Sequence, residues 1–121
     1  MKVGIIGASF ARAAYLPALR HIPDVEVVAI ASARLESAQV AAEQFEVPHA
    51  YDDWQLMLER HDFDLVCIAT PTDLHAPQAL AAFESGAHVL CEKPTAMNAA
   101  EAAAMLTAGE SAGRIHMIDH E

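Results

Sequence analysis

Short apolar runs alternate with segments of helical spacing along the whole chain, and this alternation limits the folds that the chain can adopt. Apolar runs bounded by turn signals are typical of buried parallel strands. We predict six strands, at residues 2–7, 25–31, 47–51, 65–69, 87–91 and 115–118. Helices are predicted between them, at residues 10–20, 34–45, 52–58, 76–84 and 98–108. The pattern predicts one α/β domain, residues 1–121, with a Rossmann-type doubly wound parallel sheet.

The helix boundaries are predicted from capping signals and apolar spacing. Asp52 with Gln55, and Asn98 with Glu101, have the spacing of capping boxes, so a helix is predicted to begin at each pair. Apolar positions at helical spacing predict the face of the fourth helix that packs on the sheet: Ala76, Ala79, Leu80 and Phe83.

Composition excludes several classes of protein. The formal net charge is −10, which repels phosphodiester backbones, so we expect no nucleic-acid partner. No apolar run approaches a membrane span and no signal peptide precedes the first strand, so we expect a cytoplasmic protein with no membrane partner. Cys67 and Cys91 fall inside predicted strands, where we interpret them as buried core thiols rather than redox groups.

The C-terminus gathers side chains that can bind metals, namely His116, Asp119, His120 and Glu121. On a strand, His116 and His120 share a face, but they stand four residues apart along it. That separation is too large for one compact tetrahedral site without a bend. We therefore predict no metal, with a metal site as the minority interpretation.

The turn after the first strand resembles a dinucleotide-binding loop in part. A pyrophosphate needs small residues at the N-terminus of the following helix, where backbone amides are free to donate. In Gly-x-Gly-x-x-Gly terms only Gly7 is present, with Ser9 at the second position and Arg12 at the third. We predict that this loop binds the pyrophosphate through Gly7, Ser9, Phe10 and Ala11. The alternative is an ordinary strand-to-helix turn.

The end of the second strand carries the signal for cofactor choice. An NAD-preferring domain usually has an acidic residue there, which binds the ribose hydroxyls. This chain has Ser32 and Arg34 instead, and both side chains suit a 2′-phosphate. We predict NADP or NAD as cofactor, with NADP slightly favoured. The alternative is that Ser32 caps the second helix and Arg34 is a solvated residue of its first turn.

Two further turns follow neighbouring predicted strands, and both end at the edge of the sheet where ligands bind. The first contains Thr70 and Pro71, with His75 downstream. The second is Glu92-Lys93-Pro94, where Lys93 can exchange a proton with an oxygen at a reacting carbon. The alternatives are that His75 is a helix residue that contacts no ligand, and that Lys93 is an ordinary surface lysine.

These two turns resemble the glucose-fructose oxidoreductase and inositol dehydrogenase family (Gfo/Idh/MocA), and residues 15–19 resemble its first helix. The resemblance covers the whole chain and implies an NAD(P)-binding domain. It implies that Thr70 and Pro71 lie along the cofactor and that His75 approaches the nicotinamide. It also implies that Glu92 contacts the cofactor and that Lys93 is catalytic, with the peptide bond before Pro94 commonly cis.

Members of this family continue into a second α/β domain, which closes the substrate pocket and forms the oligomer interface. The resemblance therefore implies an oxidoreductase of a sugar, polyol or related hydroxy compound, with this chain as its cofactor domain, inactive alone and homo-oligomeric only in complete form. The alternative is a stand-alone, non-catalytic nucleotide-binding module, which differs in whether the source reading frame continues past Glu121. A Rossmann methyltransferase is disfavoured by the Glu-Lys-Pro turn and by the absence of an acidic residue after the second strand.

Overall fold

The computed structural model describes residues 1–120, and these form one six-stranded sheet in which every strand pair is parallel. The strands are β1 (Lys2–Ile6), β2 (Glu26–Ala31), β3 (His49–Tyr51), β4 (Leu65–Ile68), β5 (His88–Glu92) and β6 (His116–Asp119). Their order is β3-β2-β1-β4-β5-β6, so the winding direction reverses between β1 and β4. The predicted Rossmann-type sheet is confirmed.

Five helices cover the sheet. They are α1 (residues 8–19, with a π-helical turn at Ala11–Tyr15), α2 (Leu35–Phe45), α3 (Trp54–Arg60), α4 (His75–Glu84) and α5 (Ala99–Ala112). A short 3-10 turn, Thr72–Leu74, precedes α4. In the part of the chain that the structure describes, no helix is long and apolar enough to cross a membrane.

Side chains along the inner strands alternate between two apolar layers, as the period of a strand requires. On β1, Val3 and Ile5 face the layer formed with α1 and α2, whereas Ile6 faces the layer formed with α3, α4 and α5. Cys67 faces the first layer and Cys91 faces the second. Both thiols are buried and free, which confirms their prediction as core residues.

Several predicted boundaries were wrong for local reasons. The first helix begins at Ala8 rather than residue 10, directly after Gly7, and α5 continues to Ala112 before a left-handed Gly113 ends it. The strand β3 begins at His49 rather than residue 47. Its predicted start belongs to the end of α2, where Glu46 is left-handed and the Val47 N–H donates to the Ala42 carbonyl at 2.8 Å.

The cap of α3 is one residue later than predicted. Asp53, not Asp52, accepts hydrogen bonds from the backbone N–H groups of Gln55 and Leu56, at 2.9 and 3.3 Å. Asp53 has the extended backbone that an N-cap residue requires. The correction matters for function, because the carboxylate of Asp52 is left out of the helix cap.

The other capping prediction is confirmed. The Asn98 side chain accepts from the Glu101 N–H at 2.9 Å, and the Glu101 carboxylate accepts in return from the Met97 N–H. The predicted face of α4 was wrong at Leu80, which is 37% exposed, while Gln78 is only 1% exposed. A buried amide is tolerated at this position because the Thr70 hydroxyl donates to its oxygen at 2.6 Å.

Candidate functional site

A cleft of about 470 Å³ opens at the carboxyl ends of β1 to β4, beside the point where the winding direction reverses. Ligands of doubly wound sheets bind at such a reversal. Five of the predicted cofactor-binding residues line the cleft: Gly7, Ser9, Ser32, Thr70 and Pro71. The other lining residues are Ile6, Ala8, Ala33, Asp52, Trp54, Ala69, Leu74 and Gln78.

The floor of the cleft is the N-terminus of α1. Gly7 has a φ of 110°, and a Cβ atom there would lie 2.6 Å from the carbonyl carbon of Ala69, so a side chain is excluded between β1 and β4. Within residues 1–120, no side chain caps this end of α1. The first N–H groups of a helix have no partner inside the helix, so those of Ala8, Ser9 and Phe10 are available to an anion.

The remaining predicted residues of α1 do not line the cleft. Phe10 packs edge-on against Tyr15, with 5.3 Å between the ring centroids. Ala11 is fully buried in the core. The guanidinium of Arg12 donates to the Gln44 side chain at 3.2 Å and does not line the cleft.

The segments after β2 and β3 form one end of the cleft, which Ser32, Asp52 and Trp54 line. Arg34, in contrast, does not line the cleft: its side chain is 75% exposed and pairs with Glu36 at 3.2 Å. The N-cap of α2 is Arg34 with no side-chain bond to the helix, so the alternative that Ser32 caps this helix was wrong. Arg34 is solvated, as that alternative stated.

His75 joins the wall of the cleft to the Glu-Lys-Pro turn. Its ring is 1% exposed, with Nε2 at 2.8 Å from the Thr70 carbonyl oxygen and Nδ1 at 2.9 Å from that of Pro94. A carbonyl only accepts, so whichever ring nitrogen carries the proton donates to one of these two segments. His75 is not among the residues that line the cleft, and its contact with the nicotinamide stays a prediction.

The Glu-Lys-Pro turn begins at Glu92, the last residue of β5, and continues with Lys93 and Pro94. The peptide bond between Lys93 and Pro94 is cis, as the resemblance implied, and both side chains are exposed. Glu92 is only 8% exposed, and it accepts a hydrogen bond from the Tyr15 hydroxyl at 2.7 Å. Burial and the neighbouring Glu92 carboxylate raise the pKa of Tyr15, so its phenol stays a donor and ties α1 to the end of β5.

The cysteines near the cleft are not poised for chemistry. Burial, with a smaller contribution from Asp119, raises the pKa of Cys67 to about 12. Burial and the Glu92 carboxylate raise the pKa of Cys91 to about 12 as well. Neither thiol is ionised at neutral pH, and the thiolate is the reactive form.

The C-terminal cluster, residues 116–121, carries the minority interpretation of a metal site. Among residues 1–120, no three ligating side chains are close enough to hold a metal ion. His116 instead packs edge-on against Phe83. Glu121, the last member of the cluster, lies outside the described residues.

Sequence reasoning missed four residues of this region: Tyr15, Asp52, Trp54 and Gln78. Asp52 and Trp54 could have been found by aligning the ends of β2 and β3, because lining residues of one cleft share a level across neighbouring strands. Gln78 was signalled by a polar side chain on an otherwise apolar helix face. Tyr15 had no local signal, since its partner Glu92 is 77 residues away.

A parallel sheet with this strand order, an uncapped helix N-terminus at the reversal and a cleft above it define an NAD(P)-binding Rossmann domain. The match to known proteins narrows the class. Residues 1–120 match the model of the family described as "Oxidoreductase family, NAD-binding Rossmann fold". The chain belongs to this family, Gfo/Idh/MocA.

The relatives of this chain include sugar and polyol dehydrogenases, and also a 4-carboxy-2-hydroxymuconate-6-semialdehyde dehydrogenase of Sphingobium, which is 34% identical over 99% of this chain and 38% of that protein. The chain is 35% identical to scyllo-inositol 2-dehydrogenase (NADP+) of Bacillus subtilis, over 97% of this chain and 36% of that protein. It is 36% identical to levoglucosan dehydrogenase of Pseudarthrobacter phenanthrenivorans, over 98% of this chain and 32% of that protein. The chain therefore spans about a third of the length of these relatives.

Solved structures of oxidoreductases have the same fold as this chain. A 3-ketoreductase from Actinomadura kijaniata, in complex with TDP-benzene and NADP, superposes with a TM-score of 0.90 at 35% identity. The match covers 98% of this chain and 37% of that one. Biliverdin reductase from Synechocystis, in complex with biliverdin and NADP+, also superposes with a TM-score of 0.90, at 27% identity. The same domain architecture thus occurs in proteins with unlike substrates.

Proposed function

We propose that this chain is the cofactor domain of an oxidoreductase that transfers a hydride between a nicotinamide cofactor and a sugar, polyol or related hydroxy compound. One observation carries the proposal above the others: the buried His75 ring lies between the cleft wall and the Lys93-Pro94 turn, with one nitrogen 2.8 Å from the Thr70 carbonyl oxygen and the other 2.9 Å from that of Pro94. The turn that bears the exposed Lys93 therefore lies next to the cleft in which we propose that the dinucleotide binds. A surface lysine without a function needs no such placement.

The residues divide along the proposed path of the dinucleotide. The N-terminus of α1, from Gly7 through Ala11, receives the pyrophosphate, with Ser9 and Phe10 contributing backbone N–H groups. Ser32 faces the adenosine ribose at one end. Thr70 and Pro71 flank the middle of the dinucleotide in this proposal; both line the cleft, and Pro71 is exposed.

The Glu-Lys-Pro turn belongs to the nicotinamide end in this proposal. Lys93 accepts the hydroxyl proton of an alcohol as its carbon is oxidised, and returns a proton to the oxygen in the reverse direction. Glu92 and Pro94 hold the turn in place, Glu92 through Tyr15 and Pro94 through His75. The bound nicotinamide supplies the hydride acceptor or donor.

The substrate itself is proposed by likeness to sugar and polyol dehydrogenases such as the levoglucosan and scyllo-inositol enzymes. We propose that substrate walls and any homo-oligomer contacts are supplied by residues outside these 121. The 121-residue chain alone is then expected to bind dinucleotide without turnover. The two unpaired, buried cysteines agree with a reducing, cytoplasmic location.

The cofactor preference gives a direct test, since we propose that NADP is slightly favoured. The Arg34–Glu36 pair is exposed, and such pairs hold their partners weakly, so Arg34 is free to turn toward a 2′-phosphate. Arg34→Ala is expected to weaken NADP+ binding by about threefold to tenfold and to leave NAD+ binding within about twofold. Titration calorimetry of the 121-residue chain with both dinucleotides measures this.

Arg60→Ala is the matched control, because it removes the same charge from the last turn of α3. An Arg34→Ala protein that keeps its preference would leave Arg34 as a solvated surface residue only. Failure of the wild-type chain to bind either dinucleotide at millimolar concentration would refute the cofactor-domain proposal as a whole.

A further inference from the structure

Asp52 lines the end of the cleft to which we assign the adenosine ribose, and it follows a different strand from Ser32. In the β2–β3 pairing Ala31 is opposite Tyr51, and the Ser32 N–H donates to the Tyr51 carbonyl at 3.0 Å. Ser32 and Asp52 are the first residues after these two strands, which neighbour each other at the usual spacing of about 5 Å, so both leave the sheet at the same level. Both line the cleft.

The charge of Asp52 is not engaged elsewhere. Its neighbour Asp53 caps α3, which leaves the Asp52 carboxylate without that role. Across residues 1–120, no hydrogen bond or ion pair to the Asp52 side chain is present, and the residue is exposed. Arg34, the nearest cation in sequence to Ser32, pairs with Glu36 instead.

An unpaired carboxylate in this position has two consequences for a dinucleotide. It accepts hydrogen bonds from the ribose hydroxyls of the adenosine, which is what an acidic residue at the end of the second strand does in NAD-binding domains. It also repels a 2′-phosphate, because like charges in one site oppose each other. Here the acidic group comes from the end of the third strand, while the second strand ends in Ser32.

We propose that Asp52 is a specificity-determining residue, which favours NAD at the ribose end and offsets the pull of Arg34 toward NADP. This inference rests on the proposed function. The two opposite charges on neighbouring loops leave a site that takes both dinucleotides. Removal of the Asp52 charge shifts the preference toward NADP, and removal of the Arg34 charge shifts it toward NAD.

The test is titration calorimetry of the 121-residue chain with NAD+ and NADP+, on wild type, Asp52→Asn and Asp53→Asn. For Asp52→Asn we expect NADP+ to bind about threefold more tightly or better, and NAD+ to bind about threefold more weakly. Asp53→Asn removes the same charge one residue away, yet asparagine still caps a helix, so the variant stays folded. Its two affinities are expected to move together, by less than about twofold.

The two directions in Asp52→Asn separate recognition from bulk charge. Loss of one negative charge anywhere on this acidic chain would tighten both dinucleotides, so weaker NAD+ binding is the specific sign of a lost ribose contact. Asp52→Ser replaces the carboxylate with a shorter, uncharged side chain. This variant is expected to show the same shift in the NADP+ to NAD+ affinity ratio. Thermal melting confirms that each variant is folded.

An Asp52→Asn protein whose NADP+ to NAD+ affinity ratio equals that of wild type would overturn this inference and leave the cofactor-domain proposal standing. An equal shift in Asp53→Asn would overturn it as well, because the effect would then be one of net charge. If wild type binds neither dinucleotide, the proposed function fails, and the role of Asp52 fails with it.

Discussion

Replacement of Lys93 by methionine is expected to lower the catalytic constant of an enzyme that contains this domain by about a hundredfold or more, the scale of losing a positioned acid or base. Lys93 is exposed and follows β5 directly, so its side chain contributes little to the core. Stability is therefore expected to change by less than about 0.5 kcal/mol. Cofactor affinity is expected to stay within about threefold, since the pyrophosphate is bound by the N-terminus of α1.

The measurement is steady-state kinetics and thermal melting on an enzyme of the relatives' length. The chain has one other lysine, Lys2, which begins β1 at the opposite edge of the sheet from the cleft. Lys2→Met is thus a matched control, expected to retain turnover. Near-normal turnover in Lys93→Met would remove Lys93 from the mechanism. A much lower melting temperature would make Lys93 a structural residue.

Replacement of Gly7 by alanine is expected to destabilise the fold by about 2–5 kcal/mol, because two costs add. The φ of 110° is unfavourable for any residue with a Cβ atom. The new Cβ would also lie 2.6 Å from the carbonyl carbon of Ala69 and 3.2 Å from the Thr70 nitrogen, both of them backbone atoms that cannot rotate away. Chemical denaturation of wild type and variant measures the loss.

Gly86→Ala separates the two costs. Gly86 has a similar φ of 97°, yet a Cβ atom there would meet nothing within 4 Å. Its variant is expected to lose only the backbone part, about 1–2 kcal/mol. If Gly7→Ala were no less stable than Gly86→Ala, the close approach of β1 and β4 would not be what excludes a side chain at the floor of the cleft.

The fold was predictable because its signals are local. Consecutive residues form the apolar runs of β1 and β4 and the turns that follow them, so both could be recognised locally. The runs are continuous because these strands are buried on both faces of the sheet. Gly7, Thr70 and Pro71 were also predictable from consecutive residues. They follow β1 and β4 closely, and the carboxyl ends of these strands open into the cleft.

The parts that sequence reasoning missed depend on contacts across the sheet. Asp52 lines the cleft only because β3 pairs with β2 in a register that places it beside Ser32. The direction of the His75 ring depends on Pro94, which is 19 residues away on another turn. No local pattern specifies which side of a helix start faces a cleft and which faces a neighbouring turn.

The central claim is that the dinucleotide binds across the reversal between β1 and β4, with its pyrophosphate at the N-terminus of α1. A crystal structure of this chain soaked with NADP+ tests it most directly. The account predicts pyrophosphate oxygens at about 3 Å from the backbone N–H groups of Ser9 and Phe10, and the nicotinamide directed toward Lys93. A dinucleotide bound elsewhere, or in the reverse direction with its adenine beside Lys93, would contradict it.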